Sequence, residues 1–377
     1  MNHIPFNKPY FSGNETEYIR KAVLNGKISG DGFFTKKCHD FFENKYGFKK
    51  VLLTTSCTTA LEMAAILLDI KEGDEVIAPA YTFVSTVNAF VLRGAKIIFV
   101  DSCKDSPNMD VNKIEALITS RTKVILPVHY AGIACDLDKI MSLAKKYNLF
   151  VVEDAAQAID SYYKERPLGS IGHLAAFSFH ETKNIISGEG GMLVINDDRF
   201  IKRAEIIREK GTNRSAFFRG EIDKYEWVDI GSSYLPSEIT AAFLFAQLQN
   251  IKKIQLKRKE IWNTYNEKLS VLKAIGIKQA FISEYATNNA HIYYIICRNL
   301  NERLQLIQYL KDRNILAIFH YLSLHKSPFY NNNYNGEELI NADLYSDTLL
   351  RLPLYYELNE NDIIRITDAI IAFYNKI

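Results

Sequence analysis

The chain has 377 residues, 47% of them hydrophobic and 24% charged, enough apolar material for a large core and more than one domain. Its 46 basic and 44 acidic residues leave a formal net charge of +2, which excludes a broad electrostatic field for nucleic acid or a membrane surface. Five cysteines (Cys38, Cys57, Cys103, Cys135 and Cys297) are scattered, odd in number and never spaced CxxC, arguing against a disulfide framework or a zinc site and for a reducing compartment. No apolar run reaches the ~18 residues of a membrane helix, and Met1-Asn2-His3-Ile4-Pro5 lacks the regions of a signal peptide. A cytoplasmic chain with no nucleic-acid or membrane partner is expected.

In chain order, residues 1 to about 35 read as irregular around one helix, 15–24, and a second helix follows at 35–46. The pattern then settles into strands at 51–53, 76–78, 96–100, 123–128, 149–152, 175–179 and 192–195. Helices fill most gaps, at 59–68, 84–92, 112–118 and 137–146. Short apolar strands alternating with helices predict a mostly parallel, seven-stranded α/β sheet covered on both faces. A helix at 198–209 leads to an Arg-, Gly- and aromatic-rich loop, 211–234; Pro236-Ser237-Glu238 then opens a helix reaching 248. The charged helix 251–269 bridges to a smaller α+β domain, giving a division into 1–250 and 251–377. That domain mixes strands at 291–297 and 317–320 with helices at 303–312 and 359–375, and the polar run 331–336 reads as an exposed turn.

Chemistry gathers at the strand ends. Leu149 to Val152 runs into Glu153-Asp154, with Gln157 three residues on; the next apolar run carries Ser178 and leads into His180-Glu181-Thr182-Lys183-Asn184 and a glycine turn, Gly188 to Gly191. Ligands of open α/β sheets bind at the carboxyl ends of strands, and pyridoxal phosphate (PLP) requires a buried acid for its ring nitrogen and a lysine for its aldehyde. Ser56-Cys57-Thr58-Thr59 joins a strand to a helix start, where free N–H groups and the helix dipole favour an anion. Phe83, in Ala80-Tyr81-Thr82-Phe83-Val84-Ser85-Thr86, suits stacking on a ring, and His129 ends another strand. A capped helix or a core aromatic accounts for each feature alone; together at four strand ends they point to a cofactor.

Rival chemistries lack their residues. His180-Glu181-Thr182-Lys183-Asn184 has Asn184 where HExxH needs its second histidine, and no GxGxxG, GxxxxGK[ST] or GxSxG follows a strand. His320 and His325 have no third ligand at sensible spacing, so sugar contacts or structural roles suit them better than a metal.

These motifs, Val151 to Gln157, Phe177-Ser178-Phe179 to Asn184, and Gly188 to Gly191, resemble the DegT/DnrJ/EryC1/StrS sugar aminotransferases across nearly the whole chain. The stretches 51–69, 81–100, 127–134, 177–184, 206–218 and 319–325 look closer still to the branch making dTDP-4-amino-4,6-dideoxygalactose for surface polysaccharides such as lipopolysaccharide and enterobacterial common antigen. The resemblance implies a PLP-dependent transferase of the aspartate-aminotransferase fold (fold type I), passing through pyridoxamine phosphate. It implies Lys183 as the residue holding PLP, Asp154 at the ring nitrogen, Gln157 at the ring hydroxyl, Phe83 on the ring face, and Cys57, Thr58 and Ser178 at the phosphate. Two departures stand out. Cys57 replaces the family's glycine, and in Gly231-Ser232-Ser233-Tyr234 Ser233 stands where a neighbouring subunit brings asparagine to the phosphate.

The implied substrates are L-glutamate and dTDP-4-dehydro-6-deoxy-D-glucose, on a homodimer with shared sites. His320, with Lys210, Arg214 and Arg219 for the diphosphate, are the substrate-binding candidates. Alternatives are a gluco-configured or 3-keto sugar substrate, or a non-catalytic regulator on the same fold. The 3-dehydratase branch has histidine where this chain has Lys183.

Overall fold

The computed structural model describes residues 2–330 and 334–376, so the expected turn at 331–336 lies partly outside the described residues. All seven expected strands of the first sheet are present: β1 (Lys50–Thr54), β2 (Glu75–Pro79), β3 (Lys96–Val100), β4 (Thr122–Ile125) and β5 (Phe150–Asp154), then, after a short hairpin of β6 (Tyr162–Tyr163) and β7 (Arg166–Pro167), β8 (Leu174–Ser178) and β9 (Gly191–Ile195). They are ordered β1-β9-β8-β5-β4-β2-β3. Only β9 runs against its neighbours, β1 and β8; the other pairings are parallel. Every residue of β2 and β9 is buried, because helices cover both faces. Alternate residues serve opposite cores: Leu52, Val152 and Leu193 enter one, Val51, Leu53, Val151 and Val194 the other.

Differences from the expected elements have local causes. The helix placed at 59–68 begins two residues earlier, at Cys57–Leu67, because Ser56 caps it: Ser56 Oγ accepts from Thr59 N–H at 3.1 Å, and Ser56 N–H donates to Thr59 Oγ1 at 3.0 Å. β4 stops at Ile125 rather than 128, since Pro127 has no N–H for the ladder; its carbonyl still accepts from Asp154 N–H at 2.8 Å. Ser237 caps the helix Glu238–Gln249, leaving Pro236 just outside it rather than in its first turn. Glu238, in that first turn, is buried and accepts from the N–H groups of Gly32, Phe34 and Thr35, tying the helix Phe33–Tyr46 to the sheet's helical cover.

A second, antiparallel sheet is built from β10 (Lys278–Gln279), β11 (Tyr293–Ile296), β12 (Ile318–Phe319) and β13 (Leu349–Leu352), ordered β10-β11-β13-β12. The long helix Ile251–Lys268 leads to it, and Trp262, Tyr265, Tyr293, Leu350 and Ile366 form its core. Ile4 joins that core and bridges to Ile315, so the N-terminal segment straps onto the second sheet. The sequence pattern shows neither this strap nor β13 and the preceding helix Ile340–Thr348. Among the described residues no helix is long and apolar enough to cross a membrane.

Candidate active site

One cavity of about 1220 Å³ opens at the carboxyl edge of the first sheet and faces the second. Cys57, Thr58, Phe83 and Asp154 line it, and so do Gln157, Ser178, Lys183 and His320. Sheet register assembles its floor: Thr54 of β1, Gly191 of β9 and Ser178 of β8 stand abreast, and Asp154 ends the adjoining β5. Gly191 has a steric reason, since a Cβ there would lie 2.4 Å from Cys57 N. The missing side chain lets the helix Cys57–Leu67 start directly above β9.

That helix start is a ready anion cradle. The N–H groups of Cys57 and Thr58 are first-turn donors that no helical carbonyl serves, and the dipole points the same way. Hydroxyls join them: Thr58 Oγ1 donates to Ser85 Oγ at 3.0 Å, and Ser178 sits at the adjacent strand end. Phe83 is the N-cap of the helix Val84–Val91 and is 53% exposed, its ring 5.9 Å from that of Tyr321. It presents a free aromatic face to the cavity.

Two neighbouring carboxylates face opposite ways. Asp154 turns into the cavity, where its Oδ2 accepts from the Thr86 hydroxyl at 2.7 Å and its Oδ1 from Ala156 N–H at 3.1 Å. Burial raises its pKa above the ordinary carboxylate value, against the pull of Thr86 and Ala156. A cation at this oxygen pair would remove that penalty. Glu153 turns away from the cavity, fully buried, and accepts from Gly169 N–H at 2.8 Å, Ile171 N–H at 2.9 Å and Gly172 N–H at 2.6 Å.

His129 belongs to that hidden side. Its Nδ1 accepts from Cys135 N–H at 3.2 Å, so Nε2 carries the proton and donates to Glu153 at 2.9 Å. The expected polar group at the edge of β4 is therefore a structural anchor. Burial pushes the Glu153 pKa up, but His129 and the glycine N–H groups outweigh it and leave it below the ordinary value.

Lys183 lies past the end of β8 in a turn closed by its own N–H donating to His180 O at 2.9 Å. Loss of water around the ammonium lowers its pKa below that of an ordinary lysine, with Cys57 and Asp154 opposing. Gln157 is fixed at both ends of its amide, Oε1 accepting from Ala131 N–H at 2.7 Å and Nε2 donating to the Tyr321 hydroxyl at 2.9 Å. His320 is buried with Nδ1 2.7 Å from the Tyr130 hydroxyl. Burial, with Arg351 and Lys183 nearby, holds its pKa well below the usual histidine value and the ring neutral.

The other candidates lie outside this lining. Ser233 and Lys210 are exposed on the loop that follows the helix Ile201–Arg208. Arg214 stands 3.8 Å from Glu209, and Arg219 pairs with Glu205 at 2.9 Å and Glu221 at 2.6 Å.

A family model described as the DegT/DnrJ/EryC1/StrS aminotransferase family matches residues 9–371. The chain belongs to this aminotransferase family. It is 32% identical to GDP-perosamine synthase of Escherichia coli O157:H7 over 100% of both chains, and 32% identical to the spore coat polysaccharide biosynthesis protein SpsC of Bacillus subtilis over 98% of this chain and 97% of that one. Its fold matches Spr1654 of Streptococcus pneumoniae in the PMP form with a TM-score of 0.91 at 27% identity, covering 99% of each chain. The PLP form of the same protein matches with a TM-score of 0.89 at 27% identity. The family's fold is therefore that of this chain, a mostly parallel α/β sheet with a smaller antiparallel one.

Among the lining residues that the sequence reading did not single out for the site are Thr86, Tyr321 and Arg351. Arg351 is the most consequential. It sits on β13, its guanidinium over the Phe6 ring at 4.7 Å, and its Nε has no hydrogen-bond partner among the described residues. A charge interrupting the apolar run Leu349-Leu350-Arg351-Leu352 is the signal that marks it. Tyr321 has no such signal: its backbone adopts φ of 54°, a left-handed conformation invisible in composition.

Proposed function

We propose that this enzyme transfers the amino group of L-glutamate to dTDP-4-dehydro-6-deoxy-D-glucose, giving dTDP-4-amino-4,6-dideoxy-D-galactose and 2-oxoglutarate in the cytoplasm, for a surface polysaccharide. The observation that carries the chemistry is one cavity joining a desolvated lysine, a buried carboxylate and a helix-start anion cradle. The cofactor is PLP, alternating with pyridoxamine phosphate, and the residues present fit it. The N–H groups of Cys57 and Thr58 with Ser178 would hold its phosphate, Phe83 would cover a ring face, Gln157 would meet the ring hydroxyl, and Asp154 would keep the ring nitrogen protonated. Bound there, it supplies an electron sink for the electron pair left when a Cα–H bond breaks.

The chain's own residues do the rest. With the cofactor bound, Lys183 would hold its aldehyde; the lysine amine, low in pKa, would carry the proton from the donor's Cα to the cofactor and, in the second half, from the cofactor to the acceptor's amine-bearing carbon. Arg351, which lines the cavity, holds a donor carboxylate, a pairing its planar fork suits. His320, neutral, offers a hydrogen bond to the sugar.

We take the enzyme as a homodimer in which the loop carrying Lys210, Arg214, Arg219 and Ser233 serves the neighbouring cavity. On that loop Trp227 is 81% exposed and Phe218 68%, apolar surface that a second copy would cover. A GDP-linked acceptor is the second reading, favoured by the full-length similarity to GDP-perosamine synthase.

Borohydride should fix the cofactor to a Lys183 peptide, read by mass spectrometry. Incubation with L-glutamate and the dTDP- or GDP-linked 4-keto-6-deoxy sugars should yield 2-oxoglutarate with one of them. NMR of the product then fixes the configuration at C4. Failure of every ketosugar to release 2-oxoglutarate would reject the sugar-aminotransferase reading; an equatorial amine would replace the galacto product by the gluco one.

A further inference from the structure

One histidine on the cavity wall, His291, precedes β11 and shares that wall with Lys183. Its ring is tightly oriented. Nδ1 lies 2.8 Å from Oδ1 of Asn184, the residue next to Lys183. Asn184 Nδ2 in turn donates to the Asn289 carbonyl and to Gln255 Oε1, each at 2.8 Å. A backbone carbonyl can only accept, which fixes the end of the Asn184 amide that is oxygen. Nδ1 of His291 therefore carries the ring proton, and Nε2 keeps a bare lone pair.

The backbone of His291 is held as firmly. Its N–H donates to Asn289 Oδ1 at 3.0 Å, and Asn289 Nδ2 donates to the carbonyls of Gln157 and Ile159, each at 2.8 Å. Its carbonyl accepts from Arg258 at 2.6 Å. Nε2 has no partner among the described residues, yet unlike Arg351 Nε it is not sealed from solvent. On a residue only 5% exposed that lines the cavity, the access is from the cavity. Linking these segments needs only the Nδ1–H; the second nitrogen is an acceptor turned to the reacting groups.

Burial, then the charges of Lys183, Arg258 and Arg351, hold the ring's pKa well below the usual histidine value, so the lone pair persists at neutral pH. Two of those cations are committed. Arg258 donates to the carbonyls of Ala290 and His291, and Arg351 lies over the Phe6 ring at 4.7 Å. Lys183 is the one left to supply an N–H. A lysine amine that moves a proton must aim its lone pair at the carbon, so its own hydrogens need acceptors.

We propose that His291 is a positioning residue for Lys183, its Nε2 accepting a hydrogen from the lysine amine while that amine moves the proton at the donor's Cα. The ring stays neutral and takes no proton in the step. The inference rests on the proton-carrying role of Lys183 proposed above.

The test uses the PLP-loaded enzyme and two amides that each replace one ring nitrogen. His291→Asn puts an N–H at the place of Nδ1 and keeps the bond to Asn184; His291→Gln brings an oxygen to the place of Nε2. His291→Asn should lower kcat about 10-fold with both KM values within a factor of two, and raise the isotope effect from glutamate deuterated at Cα. His291→Gln should keep kcat within about 3-fold of wild type. A purely structural His291 predicts the reverse order, which would overturn the proposal, as would a rise in one KM alone. In the wild-type apoenzyme, proton–nitrogen correlation spectra should show the neutral His291 ring protonated on Nδ1. A proton on Nε2 would overturn the proposal whatever the variants do. Wild-type kcat and isotope effect in His291→Asn would overturn it while leaving Lys183 as the proton carrier, whereas turnover in Lys183→Ala would overturn both.

Discussion

The two walls of the cavity are built on different plans. The first-sheet wall carries Asp154, Ser178 and the helix start at Cys57 on the ends of buried strands, held by register and a capping box. The second-sheet wall carries Arg351 on a four-residue strand and His320 and Ser323 on the segment after the two-residue β12. Backbone ladders fix the first, and in the second they fix only Arg351, which pairs with Tyr294 and Ile318; His320 and Ser323 are held by bonds to side chains, those of Tyr130 and Ser346. Such a division lets chemistry stay fixed on the rigid wall while the other wall selects the substrates.

The largest effect should come from the first wall. Lys183→Ala should lower 2-oxoglutarate formation by roughly 10³-fold or more, since both the attachment and the proton transfer go. Borohydride should then fix no cofactor to the chain. Near-normal turnover in this variant would move the chemistry off the lysine and break the contrast between the walls.

Glu153 and Asp154 sharpen the contrast within one strand end. Glu153→Ala should cost about 3–5 kcal/mol in denaturant unfolding, because His129 and three N–H groups lose their buried acceptor. Asp154→Asn should lower turnover roughly 100-fold and cost less than about 1 kcal/mol of stability. The pH signs are opposite. Glu153 has a lowered folded pKa, so its stabilisation is present above the unfolded value of ~4.3 and fades as pH falls through the folded one. Asp154 has a raised folded pKa, so ionising it costs stability as pH rises from the unfolded value through the folded one. Unfolding free energies of each variant against wild type across pH 3 to 7 would show the two slopes.

Legibility in the sequence follows the same divide. Apolar runs ending in Glu153-Asp154 and in Ser178 reveal the first wall because a buried parallel strand has a strong pattern and its carboxyl end a known use. Even there, side-chain direction was hidden: nothing in the sequence says that His129 faces Glu153 rather than the cavity. The second wall was mostly illegible. β12 has two residues and β13 four, too short for a periodic signal. The approach of Arg351 to Lys183 depends on two sheets meeting, which no local pattern records. The loop with Lys210, Arg214 and Arg219 read as basic, but Glu205, Glu209 and Glu221 beside those arginines became visible only in three dimensions.

Arg351→Gln tests the second wall. It should raise the glutamate KM about 30- to 100-fold, the worth of ~2–3 kcal/mol for a charge-assisted carboxylate contact. The sugar-nucleotide KM and the folding stability should stay within a factor of two and about 1 kcal/mol of wild type, since the guanidinium stacks on Phe6 but its Nε bonds nothing. An equal rise in both KM values would make Arg351 a general structural support.

The smallest effect, and the finest test of which wall sets the chemistry, is at Thr86. Its hydroxyl donates to Asp154 Oδ2 at 2.7 Å and lies 2.8 Å from Thr82 Oγ1. Burial already favours the protonated carboxyl, and Thr86 is the largest influence acting the other way. Thr86→Val keeps the shape and removes the donor, so the acid becomes harder to ionise. Turnover needs the ionised form, and the acidic limb of kcat/KM should therefore move to higher pH, by about one unit if one charge-assisted bond is worth ~1.4 kcal/mol. Thr86→Ser restores the donor and should restore the limb. Arg351→Gln should leave the limb where it was, because the second wall binds the donor without setting Asp154. An unmoved limb in Thr86→Val would mean that another group governs the acid side of the profile.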